Sequence, residues 1–248
     1  MTSVPGLLRA SFQLYRTHAK LFVGYVSWLL LSYAAIVLAT LIPNEGARMG
    51  LGIGLGLADG VLWLWISVIA TVIAAQLLDR KEPNPDAVPW LSLSILGSFA
   101  WIGLLQALTV AGGLLLFVVP GFVFLVWFGF ATQALLIDGK RGIDAMSSSR
   151  DLAKGRFWTA ALYQLGGPVV CGVAYLVVLA TLYFLLSYLT KTPIDVIFGD
   201  TPPLWVDMLA TLGNIFLLPI LNIYGVMAYK ELTNSKIEAR NSKEDEKA

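Results

Sequence analysis

Residues 102–137 contain no Asp, Glu, Lys or Arg. As one straight helix this window would extend about 54 Å, far beyond the ~30 Å hydrocarbon core of a bilayer. A run of this kind belongs in a membrane, and something inside it must break it. Pro120-Gly121 is placed to do so. Proline lacks an N–H and clashes with the preceding turn, while glycine tolerates unusual dihedrals. The pair reads as a tight turn between two antiparallel spans; the other reading is one long kinked helix, which would make the span count odd.

Charged residues are 13% of the chain and apolar residues 57%, where a soluble domain carries about a quarter charged. The apolar windows divide into six spans: 21–42, 60–78, 93–119, 121–137, 157–189 and 204–229. The expected fold is therefore all-α, a polytopic membrane protein of six transmembrane helices over 21–229. Residues 1–20 form an amphipathic segment before it, and 230–248 a charged, disordered tail. The first apolar run is about 22 residues, too long for a signal-peptide core, and reads as a retained anchor.

Lysine and arginine set the expected topology. Arg9, Arg16 and Lys20 precede span one, and Arg80 and Lys81 follow span two. Lys140, Arg141, Arg150, Lys154 and Arg156 lie between spans four and five, and Lys230, Lys236, Arg240, Lys243 and Lys247 follow span six. Only Arg48 and Lys191 fall on the other side. Both termini are expected in the cytoplasm.

The segment 143–154 contains neither Pro nor Gly. At 100° per residue, Ile143, Ala145, Met146, Ser149, Leu152 and Ala153 share one half of a helix, with Asp144, Ser147, Ser148, Asp151 and Lys154 opposite and Arg150 at the boundary. An amphipathic helix of this kind suits a membrane interface. Arg150, Lys154 and Arg156 are the candidate anionic-lipid contacts, beside Trp158. A plain connecting helix and a lipid- or partner-binding helix both fit. The N-terminus repeats the pattern: Leu8, Ser11, Leu14 and Arg16 align with Met146, Ser149, Leu152 and Lys154. That alignment suggests two related units, each an interfacial helix feeding a membrane hairpin.

The order of features from Val119-Pro120-Gly121 through Asp138, Gly142, Ala145, Ser149, Arg150, Leu152 and Lys154 to Phe157 resembles the bacterial YciC-type inner-membrane proteins. These look related to the membrane domain found beside glycerophosphodiester phosphodiesterases. The close match covers about 55 residues, with Asp138 where related sequences often have Glu. Pro120, Gly121, Asp138 and Ser149 are the candidate motif residues. The resemblance implies an integral inner-membrane protein and brings no catalytic residues with it.

Chemistry is sparse. One histidine, His18, lies in the basic N-terminal segment, and Cys171 has no partner for a disulfide. No spacing suggests a metal, a cofactor or a catalytic group. Net charge is +1, with no basic patch for nucleic acid. Gly52, Gly56 and Gly60 recur every four residues, as a helix-contact stripe or as an outer loop entering span two. Intramembrane polar groups are the better clues. Asp59 and Asp207 stand near the outer ends of spans two and six, as wetted groups or a paired gate. Gln106, Gln133, Gln164, Asn214 and Asn222 lie deeper, with Thr109, where amides bond between helices. Gly167-Pro168 and Pro219 interrupt spans five and six and free carbonyls toward a cavity.

Three functions follow. The first is a non-enzymatic membrane protein supporting envelope or lipid-related function, its partners being membrane lipids or another membrane protein. The second is a small transporter or channel. The third is an enzyme acting on lipid headgroups.

Overall fold

Capping residues and helix breakers mark where each helix begins and ends in the computed structural model, which describes residues 2–199 and 202–245. Helix α1 (Val4–Thr17) starts behind Ser3, whose hydroxyl accepts the Gly6 N–H, with Pro5 in the first turn, where its missing N–H costs nothing. His18 separates it from α2 (Ala19–Ala39). Asn44 caps α3 (Glu45–Leu78) by accepting the Ala47 N–H at 3.0 Å. There follow α4 (Ala87–Leu116), α5 (Val118–Phe128), α6 (Ala131–Asp138), α7 (Gly142–Ala153), α8 (Phe157–Thr190), the single turn α9 (Ile194–Ile197) and α10 (Leu204–Asp245). Helix α6 stops at Gly139 in the left-handed region, φ 70°. The Gly139 and Lys140 N–H groups return to the carbonyls of Leu135 and Ala134, closing the helix end.

Six stretches are long and apolar enough to cross a membrane: α2, α3, α4, α5 with α6, α8, and α10. Their large apolar side chains point outward; Leu115 is 88% exposed, and Trp28, Leu31 and Leu176 are also open. In water this surface would drive association, whereas against acyl chains it is already solvated. The chain is a multi-pass α-helical membrane protein, and the described residues contain no strand.

The core sits around α3 and α10. Val68 to Ala74 of α3 are buried, as are Ile223, Tyr224 and Val226 of α10. At one end of the molecule, polar groups tie the helices together. Lys230 of α10 pairs with Asp79 beyond α3. Arg156 donates to the Ser235 hydroxyl and carbonyl at 2.8 and 3.1 Å, and Lys236 to the Asp151 carbonyl at 2.8 Å. The Thr2 N–H donates to Glu231 at 2.6 Å. The four basic segments therefore gather at one end, as an even number of crossings requires. Lys247 and the side chains of Arg240 and Lys243 lie outside the described residues.

Three expectations need correction. First, 230–248 is not a loose tail as far as it is described: α10 continues to Asp245. No Gly or Pro follows Gly225 to stop it, and the contacts of Lys230, Ser235 and Lys236 hold the added turns against their neighbours.

Second, the turn between spans three and four lies at Phe117, three residues before Pro120. Phe117 is extended (φ −165°, ψ 158°) and its N–H bonds back to the Gly113 carbonyl at 2.9 Å. Pro120 sits in the first turn of α5, where no intrahelical acceptor awaits its N–H. Gly121 is helical, and its lack of a side chain serves contact: a Cβ on Gly113 would lie 2.8 Å from the Gly121 Cα, and one on Gly121 would strike Leu114. The pair lets two antiparallel helices touch just below the turn.

Third, α3 begins at Glu45, so the stretch with Gly52, Gly56 and Gly60 is helical. Nothing within the chain lies against any of the three.

Candidate functional site

The fourth span is broken inside the membrane. In a continuous helix the N–H groups of Phe130 and Ala131 would bond to the carbonyls of Val126 and Trp127. Phe130 instead leaves the helical region (φ −101°, ψ 11°) and caps α6. Its N–H donates to the Ser149 hydroxyl at 3.0 Å, and that hydroxyl donates to the Trp127 carbonyl at 2.8 Å. The Gln106 carboxamide of α4 donates to the Phe128 carbonyl, and that of Gln164 from α8 to the Leu125 carbonyl at 2.9 Å. Three helices thus satisfy four backbone groups. Left bare, each would cost about 1–3 kcal/mol, and more where no water reaches.

Gly129 makes the arrangement possible. A Cβ there would overlap the Gln164 carboxamide, which fills the notch. Ser149 arrives on the buried face of α7: Ala145, Met146, Ser149, Leu152 and Ala153 all pack inward. This corrects the interfacial reading of α7 in one respect. Its apolar half rests on the protein and not among acyl chains, and of the six residues on that half only Ile143, 78% exposed, turns away. Ser11, aligned with Ser149 in sequence, is equally buried but bonds to Leu7 of its own helix and to Met227. The two helices share an amphipathic pattern and not a role.

The other motif and polar residues are distributed as follows. Asp138, at the end of α6, accepts a short hydrogen bond from the Tyr229 hydroxyl and faces Lys140 at 3.9 Å. Asn222 of α10 accepts from Thr71 of α3 at 3.5 Å, while its amide nitrogen has no partner. Asn214 and Asp59 share a cavity of ≈190 Å³ with Tyr33, toward the opposite end. Helices α8 and α10 run unbroken through Pro168 and Pro219. Around Pro168 the Tyr163 carbonyl is taken by the Tyr224 hydroxyl at 2.7 Å, whose ring fills the space beside Gly167. Gln133 accepts from its neighbour Thr132 and lines a cavity with Gln164.

On one side of the break an open pocket of ≈370 Å³ lies between α5, α7 and α8. Trp127 and Phe157 form its wall, with Arg150 and Lys154 at its rim. The Arg150 guanidinium lies 4.8 Å above the Trp127 ring, within cation–π range. Among the described residues neither cation has an acidic partner, and no acidic side chain lines the pocket. Gly155, at φ 77°, turns the chain from α7 into α8, and Phe122, Phe157 and Trp158 cluster beside it. Arg156 is not part of this pocket, because Ser235 takes its guanidinium. A larger groove of ≈560 Å³ mixes Asp138, Asp144 and Asp151 with Lys140 and Lys236 and offers no single sign of charge. Among the described residues no three His, Cys, Asp or Glu side chains gather closely enough to hold a metal.

Sequence reasoning missed Trp127 and Gly129, and named Phe157 only as the last residue of the motif. A lone Gly and an aromatic in an apolar run carry no periodic signal; the Ser149-Arg150 pair was the available pointer. Comparison with family models, with curated proteins and with solved structures gave no match.

Proposed function

We propose that the chain is a non-enzymatic protein of a bacterial inner membrane, with both termini in the cytoplasm, that acts by holding anionic lipid of the cytoplasmic leaflet. One observation carries the reading: Arg150 and Lys154 rim an acid-free pocket walled by Trp127 and Phe157. A phosphate can sit between the two cations while its acyl chains run down the aromatic wall. The one-sided Lys/Arg distribution supports the orientation. The resemblance of residues 119–157 to YciC-type proteins supports the inner membrane as the location. A second membrane protein remains a partner of this same surface through its lipid.

The test uses the purified full chain in mixed micelles doped with phosphatidylglycerol or phosphatidylcholine. The expected result is selective retention of phosphatidylglycerol. Each basic group near such a surface is worth about 1 kcal/mol, so Arg150→Gln with Lys154→Gln lowers the preference by about 30-fold. Arg156→Gln leaves it in place and weakens the contact with Ser235 instead. Equal retention of both lipids by the unmodified chain rejects the proposal.

A further inference from the structure

The cavity of ≈190 Å³ between α2, α3 and α10 lies away from the basic end. Asp59 stands 19 residues before Leu78, and Thr211 19 before Lys230. Both are therefore about 28 Å from the basic end, near the far boundary of a ~30 Å hydrocarbon core. Leu29 and Ile215 form its floor, packed with Val26, Ile66 and Leu218 on the side of the basic end.

Four side chains bring oxygen to this cavity: Tyr33, Asp59, Thr211 and Asn214. Among the described residues none of the four makes a hydrogen bond or an ion pair. Thr109, Thr181 and Thr190 spend their hydroxyls on the carbonyl four residues back, and Thr211 does not. The sealed, unpartnered polar atoms belong to Gln76, Ser92, Gln164 and Asn222. The oxygens of the half-buried Tyr33, Asp59 and Thr211 thus keep surface that a ligand can reach. Charge near the cavity has one sign. No Lys, Arg or His lines it, and Asp207, exposed one turn before Thr211, acts electrostatically on Tyr33.

Water can satisfy hydroxyls and an amide, but it brings no positive charge, and an uncompensated carboxylate at this depth is costly. A divalent metal ion is held by several oxygen ligands, carboxylates foremost, and one carboxylate lines the cavity. The volume equals about six waters at ~30 Å³ each, too much for a bare monovalent ion and enough for an ammonium on a short alkyl stem. A quaternary ammonium has no N–H for the three neutral oxygens. A primary ammonium has three donors, one for Asp59 and two for its neighbours, with the rings of Tyr33 and Trp63 beside it. We propose that this cavity binds a primary ammonium group, with Asp59 as its counter-charge and Thr211 and Asn214 as further acceptors. Two sources carry that chemistry, a free alkylamine and the ethanolamine head of a phospholipid. The proposal is independent of the basic pocket beside Trp127.

A diazirine-bearing butylamine, photolysed at fixed ionic strength with the purified full chain in neutral detergent, tests it. Peptide mass spectrometry is expected to place the adduct within 29–36, 59–63 or 211–215, and the matching diazirine alcohol to leave these segments unlabelled. Excess butylamine protects, whereas tetramethylammonium and sodium at equal concentration do not. Protection by phosphatidylethanolamine in the micelle, and not by phosphatidylcholine, assigns the site to a lipid head; protection by butylamine alone assigns it to a free amine. Asp59→Asn lowers labelling about tenfold, the worth of a hydrogen bond to a charged group, and Thr211→Val about fivefold. Each variant is checked for an unchanged melting transition, and Thr211→Val decides if Asp59→Asn fails to fold. No adduct in these segments, equal labelling by the alcohol, equal protection by sodium or tetramethylammonium, or full labelling of a folded variant would overturn the proposal and leave a hydrated crevice.

Discussion

Ser149 carries more of the local energetics than its size suggests. Its hydroxyl is the partner of both the Phe130 N–H and the Trp127 carbonyl, and the side chain is fully buried. Ser149→Ala removes one oxygen and leaves two backbone groups bare. The expected loss is about 2–6 kcal/mol, at ~1–3 for each bare group, read as a lower melting temperature in detergent, with Ser149→Thr milder if its hydroxyl keeps both bonds. An unchanged transition in Ser149→Ala would show that the break supports itself. The serine was visible in the sequence as part of a motif, and Gln106 and Gln164 as intramembrane amides. Their targets were not, because a side chain bonding to a main-chain carbonyl 22 or 39 residues away leaves no trace in residue type. Gly129 was invisible for a related reason: its meaning is the volume of the Gln164 carboxamide, which belongs to another helix.

Among the elements, hydropathy located the spans but not where each helix turns. The number of spans follows from apolar length, and the fifth was placed within a residue of its observed end. The turn before α5 was misplaced by three residues, since a proline is as acceptable in a helix's first turn as in the loop ahead of it. The observed turn makes its own prediction. Phe117 and Val118 are 76% and 75% exposed, while Val126 is fully buried. In a Cys171→Ser background, single cysteines at 117 and 118 are expected to react with an impermeant thiol reagent from the outer face, and one at 126 to stay silent. Silence at all three would put the hairpin tip inside the hydrocarbon. For α7 the pattern of apolar residues was read correctly, but a pattern does not say whether lipid or protein receives that face. Here α5 and α6 receive it, through Ala145, Met146 and Leu152.

For the whole molecule, sidedness is the open physical variable, and the clustered basic end supplies the test. Ile143 stands exposed on that end. In Cys171→Ser cells with a permeabilised outer membrane, Ile143→Cys is expected to resist an impermeant reagent and to react once the inner membrane is opened. Reaction in sealed cells would invert the topology. The break in the fourth span has a further consequence, which concerns time. Residues are made from the N-terminus onward, so α5 and α6 leave the ribosome before Ser149 and Gln164 emerge from it. At that moment only Gln106 is available to the bare carbonyls, and an unbroken helix is the cheaper state for a segment in lipid. The fourth span is thus expected to enter the bilayer straight and to be bent open only when α7 and α8 arrive. A chain ending at Asp138, captured in micelles, should show slow amide hydrogen exchange at 130 and 131 through their own helix, and the full chain should lose that protection at 130 when Ser149 is replaced by alanine. Rapid exchange in the truncated chain would mean that the interruption is inherent in the segment, and that the later helices merely find it.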